Sequence, residues 1–374
     1  MNPTNSASPT AAMNPATTLH PTPSVPTIDL ASFASPADLA GLATADPAAV
    51  LAVLTDPAYW RQIVRETAGA SLTISAAGPS ESTWGPDTSE PLSTGEQRRA
   101  RAEVTRDGYT GLPGFLDADR SAALAAASLA LLERGWPATF LMLFDEPWLL
   151  ARHLARAMQS AVHDEVALRY EMFVYCVDST RPQARSRGIP PHRDAPGAGF
   201  DARGDWSLPR HCTAWLALTD TDVDNGCIYV IPAGTETDAE REAPIREERG
   251  VPLEVPAGTL LLWGGHVAHW GGRHDAARAR GPRVAITCVA SVEPTWGLPP
   301  LDLPTDPSSA ALPDLATRLS FVAALLRGFG PPAPGSAVAR ILDVLPRLPA
   351  EQEPPHLPCY VWHNRLNVFG DGHR

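Results

Sequence analysis

The sequence predicts an α+β fold in which helices pack on a β-sandwich or β-barrel core. Helical periodicity dominates residues 35–67 and 117–162, whereas residues 171–292 show short apolar runs of strand length. The joints between these runs are rich in Gly, Pro, Asn and Asp, which are turn residues. Successive short strands without helices between them favour a sandwich or barrel over a parallel sheet.

Helices are expected in four regions of the chain from the apolar pattern and its end signals. Ser35-Pro36 and Asp46-Pro47 are typical helix starts in the N-terminal region. Asp117–Arg134 is Ala- and Leu-rich and is followed by Gly135. Asp145 is expected to cap a helix over 146–162, with Pro147 in its first turn. The fourth region is 315–327.

Strands are expected where β-branched and aromatic residues cluster between turn signals. The turn Asp224-Asn225-Gly226 predicts that the flanking runs pair as a hairpin. A last strand is expected around 359–363. The other expected strands start with a short one at 108–112 and continue with 171–178, 212–220, 227–231, 258–263 and 283–292.

The organisation expected along the chain has four parts. Residues 1–25 are expected to be a disordered tail, because they hold almost no large apolar side chains. Residues 26–95 are expected to be a helical extension and linker, 96–295 the β core domain, and 296–374 a Pro-rich extension packing on that core.

Bulk composition excludes several classes of function. The net charge of −12 argues against nucleic acid or an anionic membrane as the partner. All 30 basic residues are arginine, so Schiff-base lysines, Walker-type lysines and the kinase ion-pair lysine are excluded. Five scattered cysteines, no signal peptide and no membrane span predict a cytoplasmic protein.

The segment Pro190-Pro191-His192-Arg193-Asp194 carries the strongest chemical signal. Residues i and i+2 of an extended chain point to one face, so His192 and Asp194 can offer an imidazole and a carboxylate to one metal ion. A second histidine downstream would complete a two-His-one-carboxylate site for Fe(II). His266 and His269 are the candidates, and their odd spacing lets only one of them point inward.

Residues from about 108 to 292 resemble the phytanoyl-CoA dioxygenase-like branch of the Fe(II)/2-oxoglutarate oxygenases. The motifs that carry the resemblance occur in the family's order and cover roughly half of the chain. They are Gly-Tyr…Leu-Pro-Gly-Phe at 108–115, His192-x-Asp194, Ala-Trp-Leu-Ala-Leu at 214–218, Asn-Gly-Cys-Ile-Tyr-Val-Ile-Pro at 225–232, the strand 258–263, His269, and Arg283-x-Ala-Ile.

The resemblance implies a double-stranded β-helix, or jelly-roll, core of the cupin-like kind. It implies Fe(II) held by His192, Asp194 and His269, with 2-oxoglutarate and O2 as co-substrates. Arg283 would anchor the far carboxylate of 2-oxoglutarate, with Arg280 as an alternative, and Trp215 would line that site. Two positions depart from the family pattern: Glu236 stands where a histidine is usual, and Gly271 where Ser or Thr is usual.

The expected function is hydroxylation, or another C–H oxidation, of a small-molecule metabolite. Halogenating relatives lack the carboxylate that Asp194 provides. Composition rich in Ala, Arg and Pro is typical of a GC-rich bacterial genome, where a biosynthetic tailoring step fits. The alternatives are an acyl-CoA hydroxylase and a catalytically silent jelly roll that binds a metal or ligand.

The sequence leaves more than one role open for several side chains near the metal motif. One alternative is an anionic substrate held by the arginines before and within the motif, although a solvated loop is the simpler interpretation. These arginines are Arg181, Arg185, Arg187 and Arg193. Other histidines have no partner pattern and are expected to be structural: His163, His211, His274, His356, His363 and His373.

Overall fold

A computed structural model of the 374-residue chain describes residues 36–69, 71–75, 78–80, 82–84, 91–181, 184–197, 199–204, 206–293, 311–329 and 331–347. The tail expected at 1–25 and the strand expected around 359–363 lie outside these residues. The helices are α1 Pro36–Leu42, α2 Pro47–Leu54, α3 Pro57–Ala68, α4 Thr94–Asp107, α5 Ala118–Glu133, α6 Asp145–Ala161, α7 Asp238–Glu242, α8 Leu315–Phe329 and α9 Ala337–Val344. The strands are β1 Gly78–Pro79, β2 Tyr109–Leu112, β3 Ala167–Val177, β4 Phe200–Arg203, β5 Trp206–Pro209, β6 His211–Ala217, β7 Ile228–Ile231, β8 Val251–Leu253, β9 Leu260–Gly264, β10 Ala268–Gly271, β11 Arg283–Ser291 and β12 Ala311–Leu312.

Two antiparallel sheets form the core of the described structure. The larger has the strand order β2-β9-β6-β11-β3, and the smaller has the order β10-β7-β8. Apart from β7 and β8, neighbouring strands in the two sheets are not consecutive along the chain, as expected when the chain passes back and forth between the two layers of a jelly roll. Helices plus these sheets confirm the predicted α+β, jelly-roll class.

The predicted hairpin between 212–220 and 227–231 is wrong. β6 pairs with β9 and β11, while β7 lies in the other sheet between β10 and β8. The turn closes on itself, because Asp222 accepts the backbone N–H groups of Asp224 and Asn225 through one carboxylate oxygen. It therefore carries the chain across from one sheet to the other instead of joining two neighbours.

The two faces of the large sheet have different partners. Alternate residues such as Cys212, Ala214 and Leu216 of β6 belong to the main hydrophobic cluster, which includes helices α5 and α6. The intervening residues Trp215 and Ala217 pack in a second cluster with residues of β7 and β9. This second face, here called the inner face, looks into the space between the sheets.

Two local expectations about helices need correction. Asp145 does not cap α6: the N-cap is Phe144, and the Asp145 carboxylate instead accepts hydrogen bonds from Ser75, Ser80 and Arg318. α4 was not predicted, although its start carries a capping box in which Ser93 and Glu96 bond reciprocally.

Helices near both ends of the described chain contribute buried residues to the main hydrophobic cluster. Trp60 of α3 and Val322 of α8 are fully buried in it together with residues of β6 and β11. The segment around 73–82 is tied to the start of α6 through Asp145 and Glu146. The domain boundaries stay predictions. None of the helices in the described residues combines the length and apolar character that a membrane crossing requires.

Candidate metal centre

His192, Asp194 and His269 meet at the inner face, although the first and last are 77 positions apart in the sequence. An isolated antiparallel bridge joins His192 to His269, with each backbone N–H donating to the other's carbonyl oxygen at 3.0 Å. His269 lies on β10, which is held in register by β7. The bridge brings the two imidazoles onto one side, with ring centroids 4.3 Å apart.

The potential ligand atoms converge. His192 Nε2 lies 3.3 Å and His269 Nε2 lies 3.6 Å from the same carboxylate oxygen, Asp194 Oδ1. One ligand atom from each of the three residues falls within 4.8 Å of the others, so the group could hold a single metal ion. This is the donor set, two imidazoles and one carboxylate, that non-haem Fe(II) takes.

The remaining polar atoms of these three side chains have other partners. The Nδ1 atoms of His192 and His269 lie 2.7 Å and 3.0 Å from the carbonyl oxygens of Pro190 and Val267. Each carbonyl can only accept, so both Nδ1 atoms carry a proton, and Nε2 is the atom through which each neutral imidazole could bind a metal. Such outer contacts fix the ring orientation of metal-binding histidines.

Asp194 is oriented by two donors on the inner face. The Thr213 hydroxyl donates to Oδ2 at 2.6 Å and the Trp263 indole N–H donates to the same oxygen at 3.0 Å. Oδ1 is thereby left to face the imidazoles. Neither donor was predicted from the sequence; the alternation of β6 and β9 around Trp215 could have suggested their inward direction.

The electrostatics favour a cation at this point. Burial raises the pKa of Asp194, but the charges and hydrogen bonds of His269 and His192 outweigh it and hold that pKa well below its ordinary value. Burial lowers the pKa of His269 to about 4, with Asp194 opposing. An ionised carboxylate beside a neutral imidazole is the state in which both act as ligands.

His266, the competing histidine, lies elsewhere. Its ring contacts Phe200 edge-on at 4.8 Å between centroids, and burial together with the charges of Arg241 and Arg193 lowers its pKa to about 4. Its ring is absent from the converging group. The structure therefore brings His269, and not His266, to His192 and Asp194.

Arg193 is held in a buried ion pair. Its guanidinium donates to both carboxylate oxygens of Glu236 at 2.8 and 3.2 Å and to the His266 carbonyl at 2.6 Å. The two side chains are only 8% and 3% exposed. In the sequence, Glu236 stands out only as a departure from the family pattern, and nothing in the spacing links Glu236 to Arg193, the residue between the two predicted ligands.

Arg181 is also engaged, with Glu133 and Asp178, both at 3.0 Å. The loop arginines are thus not a uniformly solvated group. Arg185 and Arg187 are half-buried, and the Arg185 guanidinium lies over the Tyr175 ring at 5.7 Å.

Arg283 is buried at the start of β11, 3% exposed, whereas Arg280 is exposed. Its Nη1 donates to the Gly226 carbonyl, and within the described residues no carboxylate forms an ion pair with it. Its Nε has no hydrogen-bond partner there. Burial lowers the pKa of this guanidinium to about 10. A buried cation without a counter-charge is suited to a carboxylate ligand.

Glycine leaves the room that this guanidinium occupies. A Cβ at Gly271 would lie 2.9 Å from both terminal nitrogens of Arg283. This explains the departure from Ser or Thr at that position. Trp215 lies on the same face, with the Arg283 guanidinium carbon 5.9 Å from its ring centre.

A second group of metal-capable side chains, His163, Glu165 and Asp201, is neutralised by arginine. His163 Nε2 lies 2.7 Å from Asp201 Oδ2, and Arg210 donates to the same oxygen at 2.6 Å. Arg203 lies within ion-pair distance of Asp201 and Glu165. Because two guanidinium groups lie beside the carboxylates, we interpret this cluster as a network of ion pairs and not as a metal site.

Comparison with known proteins adds a family match to this geometry. Residues 139–281 match the family model of phytanoyl-CoA dioxygenase. Similar solved structures include the non-haem α-ketoglutarate-dependent epimerase SnoN from nogalamycin biosynthesis, at 22% identity and a TM-score of 0.41 over 53% of this chain and 82% of that chain.

Two others come from streptomycetes. AviO1 from Streptomyces viridochromogenes Tue57 is 20% identical, with a TM-score of 0.41 over 56% of this chain and 99% of that chain. HygX from Streptomyces hygroscopicus, crystallised with nickel and 2-oxoglutarate, is 13% identical, with a TM-score of 0.39 over 54% of this chain and 87% of that chain.

The family match spans the segment that supplies His192, Asp194 and His269 and ends just before Arg283. Its members are non-haem dioxygenases that use Fe(II), 2-oxoglutarate and O2. Residues 139–281 are therefore similar to a domain of the phytanoyl-CoA dioxygenase family.

Proposed function

We propose that this protein is an Fe(II)- and 2-oxoglutarate-dependent dioxygenase that hydroxylates a small-molecule metabolite, with His192, Asp194 and His269 as the iron ligands. The observation that carries the proposal is the convergence of the two Nε2 atoms on Asp194 Oδ1, with every other polar atom of the three side chains already satisfied. The donor set fits Fe(II).

When bound, iron and 2-oxoglutarate supply the oxidation of a C–H bond by O2, with succinate and CO2 as co-products. The protein's part is to hold the reactants. Arg283 binds the far carboxylate of 2-oxoglutarate, and Trp215 lines the same region of the inner face. Thr213 and Trp263 keep Asp194 in one orientation, so that the ligand geometry is fixed before the reactants arrive.

Hydroxylation is favoured over halogenation because Asp194 occupies the carboxylate position and is held there by two donors. Of the four arginines considered for an anionic substrate, Arg181 and Arg193 are already paired with acidic side chains. An acyl-CoA substrate would require arginines that are not engaged in this way.

The test is spectroscopic and needs no substrate. Adding Fe(II) and 2-oxoglutarate without oxygen should give the weak visible charge-transfer band of the chelate, and His192→Ala should abolish it. His266→Ala is the matched control, because that buried imidazole lies outside the converging group. Absence of the band in the unaltered protein, together with no succinate formed in air, would reject the enzyme and leave a silent jelly roll.

Substrate identity is then approached by product screening. The enzyme with Fe(II), 2-oxoglutarate and ascorbate is incubated in air with a metabolite library that includes acyl-CoA esters. Products heavier by one oxygen atom identify hydroxylation, and products lighter by two hydrogens identify desaturation or ring formation. Only oxygen-inserted products agree with the proposal.

A further inference from the structure

The inner face of the large sheet carries polar side chains next to the metal site. Arg169 of β3, His211 of β6 and Thr287 of β11 are 1%, 7% and 9% exposed. They alternate with outer-face residues of the main hydrophobic cluster, such as Leu168 and Cys288. The inside of a jelly roll is normally filled by apolar side chains, so three buried polar ones need a reason.

Each of these side chains has a buried polar atom with no hydrogen-bond partner among the described residues. The atoms are His211 Nδ1, Thr287 Oγ1 and Arg169 Nη1. The guanidinium of Arg169 is otherwise fixed, because Nε donates to the Ser291 hydroxyl at 2.8 Å and Nη2 to the Ser291 carbonyl at 2.6 Å. Unsatisfied buried groups are uncommon and costly, and a ligand is one way to satisfy them.

Strand register places these groups on the inner face in the rows that flank Thr213 and Trp215. His211 lies two residues before Thr213, the hydroxyl donor to Asp194, on the same face. Ser291 is the cross-strand partner of His211, so Arg169, which is bonded to Ser291, extends the same row. Thr287 is the cross-strand partner of Trp215, the next inner-face residue after Thr213. The three groups lie about one or two strand repeats apart, roughly 7–14 Å.

The charge at this place is nearly balanced. Glu171, on the same face of β3, and Glu293 both act on Arg169 with a charge of the opposite sign. Burial lowers the pKa of His211, and Arg169 adds to this while Asp194 opposes it, so the imidazole is neutral. A neutral imidazole, a hydroxyl and one countered guanidinium suit uncharged oxygen atoms better than a carboxylate or phosphate.

We propose that Arg169, His211 and Thr287 form a substrate subsite that binds the hydroxyl and carbonyl oxygens of an uncharged, oxygen-bearing substrate beside the metal. The inference rests on the proposed function, because it assumes that the substrate enters the inner face at the metal. It goes further in assigning the chemical class of the substrate and the side chains that recognise it.

The test uses small probes on the protein loaded with Zn(II) and 2-oxoglutarate, which does not turn over. Three probes of similar size separate the contributions: 4-hydroxyacetophenone, 4-methylacetophenone without the hydroxyl, and 4-hydroxybenzoate with a charge. Saturation-transfer NMR gives their dissociation constants. The hydroxyl-bearing neutral probe is expected to bind more tightly than the other two.

Two variants remove single groups from the subsite. Thr287→Val keeps the shape of the side chain, and His211→Asn shortens it but keeps it polar. Each is expected to weaken 4-hydroxyacetophenone by about 5- to 10-fold, as the loss of one hydrogen bond does, without affecting 4-methylacetophenone to the same extent. Thr139→Val is the matched control, because Thr139 is also buried but bonds to Val174 and packs on the other side of the sheet.

The fold and the proposed function are checked separately. Thr287→Val should leave the melting temperature unchanged or raised, because its hydroxyl has no partner to lose. The Fe(II)–2-oxoglutarate band should remain in Thr287→Val and His211→Asn. If the band is absent from the unaltered protein, the proposed function is rejected, which is a different outcome from failure of the subsite. Equal probe affinities in all variants, a preference for the benzoate, or no probe binding to the unaltered protein would overturn the subsite.

Discussion

Replacing Arg283 by methionine separates the binding of 2-oxoglutarate from the stability of the fold. The guanidinium is 3% exposed, and burial, the largest cause, lowers its pKa from 12.5 to about 10. That difference corresponds to about 3 kcal/mol of cost for keeping the cation in the folded protein. Because the group stays protonated below its folded pKa, the cost applies in full at neutral pH and is relieved only as the pH rises through about 10.

The variant also loses the hydrogen bond to the Gly226 carbonyl, worth about 1.5–3 kcal/mol for a charged donor. The gain and the loss nearly cancel, so Arg283→Met should change the free energy of unfolding by less than about 2 kcal/mol. Its effect on 2-oxoglutarate should be larger: truncating one partner of a buried charge pair costs about 2–5 kcal/mol, or roughly 30- to 5000-fold in Kd.

The assay is urea unfolding with Mn(II), with and without 2-oxoglutarate at 100 times the Kd of the unaltered protein. That concentration should stabilise the unaltered protein by about 2.7 kcal/mol and Arg283→Met by less than about 1 kcal/mol. Arg280→Met, at an exposed position that the sequence left as the alternative anchor, should keep the full stabilisation. Stabilisation of Arg283→Met by as much as the unaltered protein, or loss of the stabilisation in Arg280→Met, would refute the reasoning.

Three further outcomes are expected. Asp145→Asn should lower the free energy of unfolding by about 3–5 kcal/mol at pH 7, because hydrogen bonds outweigh burial and lower the pKa of Asp145; urea unfolding should show the deficit shrinking as the pH falls below 3.8. Glu146→Gln should be neutral or stabilising at pH 7, because burial raises the pKa of Glu146, and a deficit as large as that of Asp145→Asn would contradict this. Glu236→Gln removes the ion pair that holds Arg193, the residue between the two predicted ligands, and should weaken Mn(II) binding about 10-fold in calorimetry. Trp263→Phe removes a hydrogen bond to Asp194 and should have an effect of the same size. Unchanged Mn(II) affinity in both variants would mean that neither contact orients the ligands.

Local pattern was enough for much of the fold. The strands around 171–178, 212–220 and 283–292 and the helix α5 appear close to where the β-strand pattern and the Ala- and Leu-rich helical pattern predict them. These features depend on side chains within a few residues of each other. The same local geometry predicted that His192 and Asp194 could act together, because it needs only two residues of extended chain.

Pairing between distant segments could not be predicted in this way. The hairpin expected at Asn225 fails because β6 is buried on both faces and finds its neighbours in β9 and β11. The cap expected at Asp145 fails because segments 70 residues before and 173 residues after it compete for the carboxylate. Cap propensity describes the isolated helix, whereas a buried carboxylate binds the strongest donors that tertiary packing brings to it.

For the site, the sequence alone predicts an imidazole and a carboxylate two positions apart, at His192 and Asp194, and an arginine at the start of a later strand. Residue alternation left His266 and His269 open and the family resemblance implied His269; the backbone bridge from His192 to His269 shows how the fold brings that histidine to the other two. The tertiary structure alone showed that Arg193 is bound by Glu236. Spacing along the chain limits which side chains share a face of a strand. The metal centre, however, needs two distant strands to come together between the sheets, and sequence periodicity does not predict which strands do so.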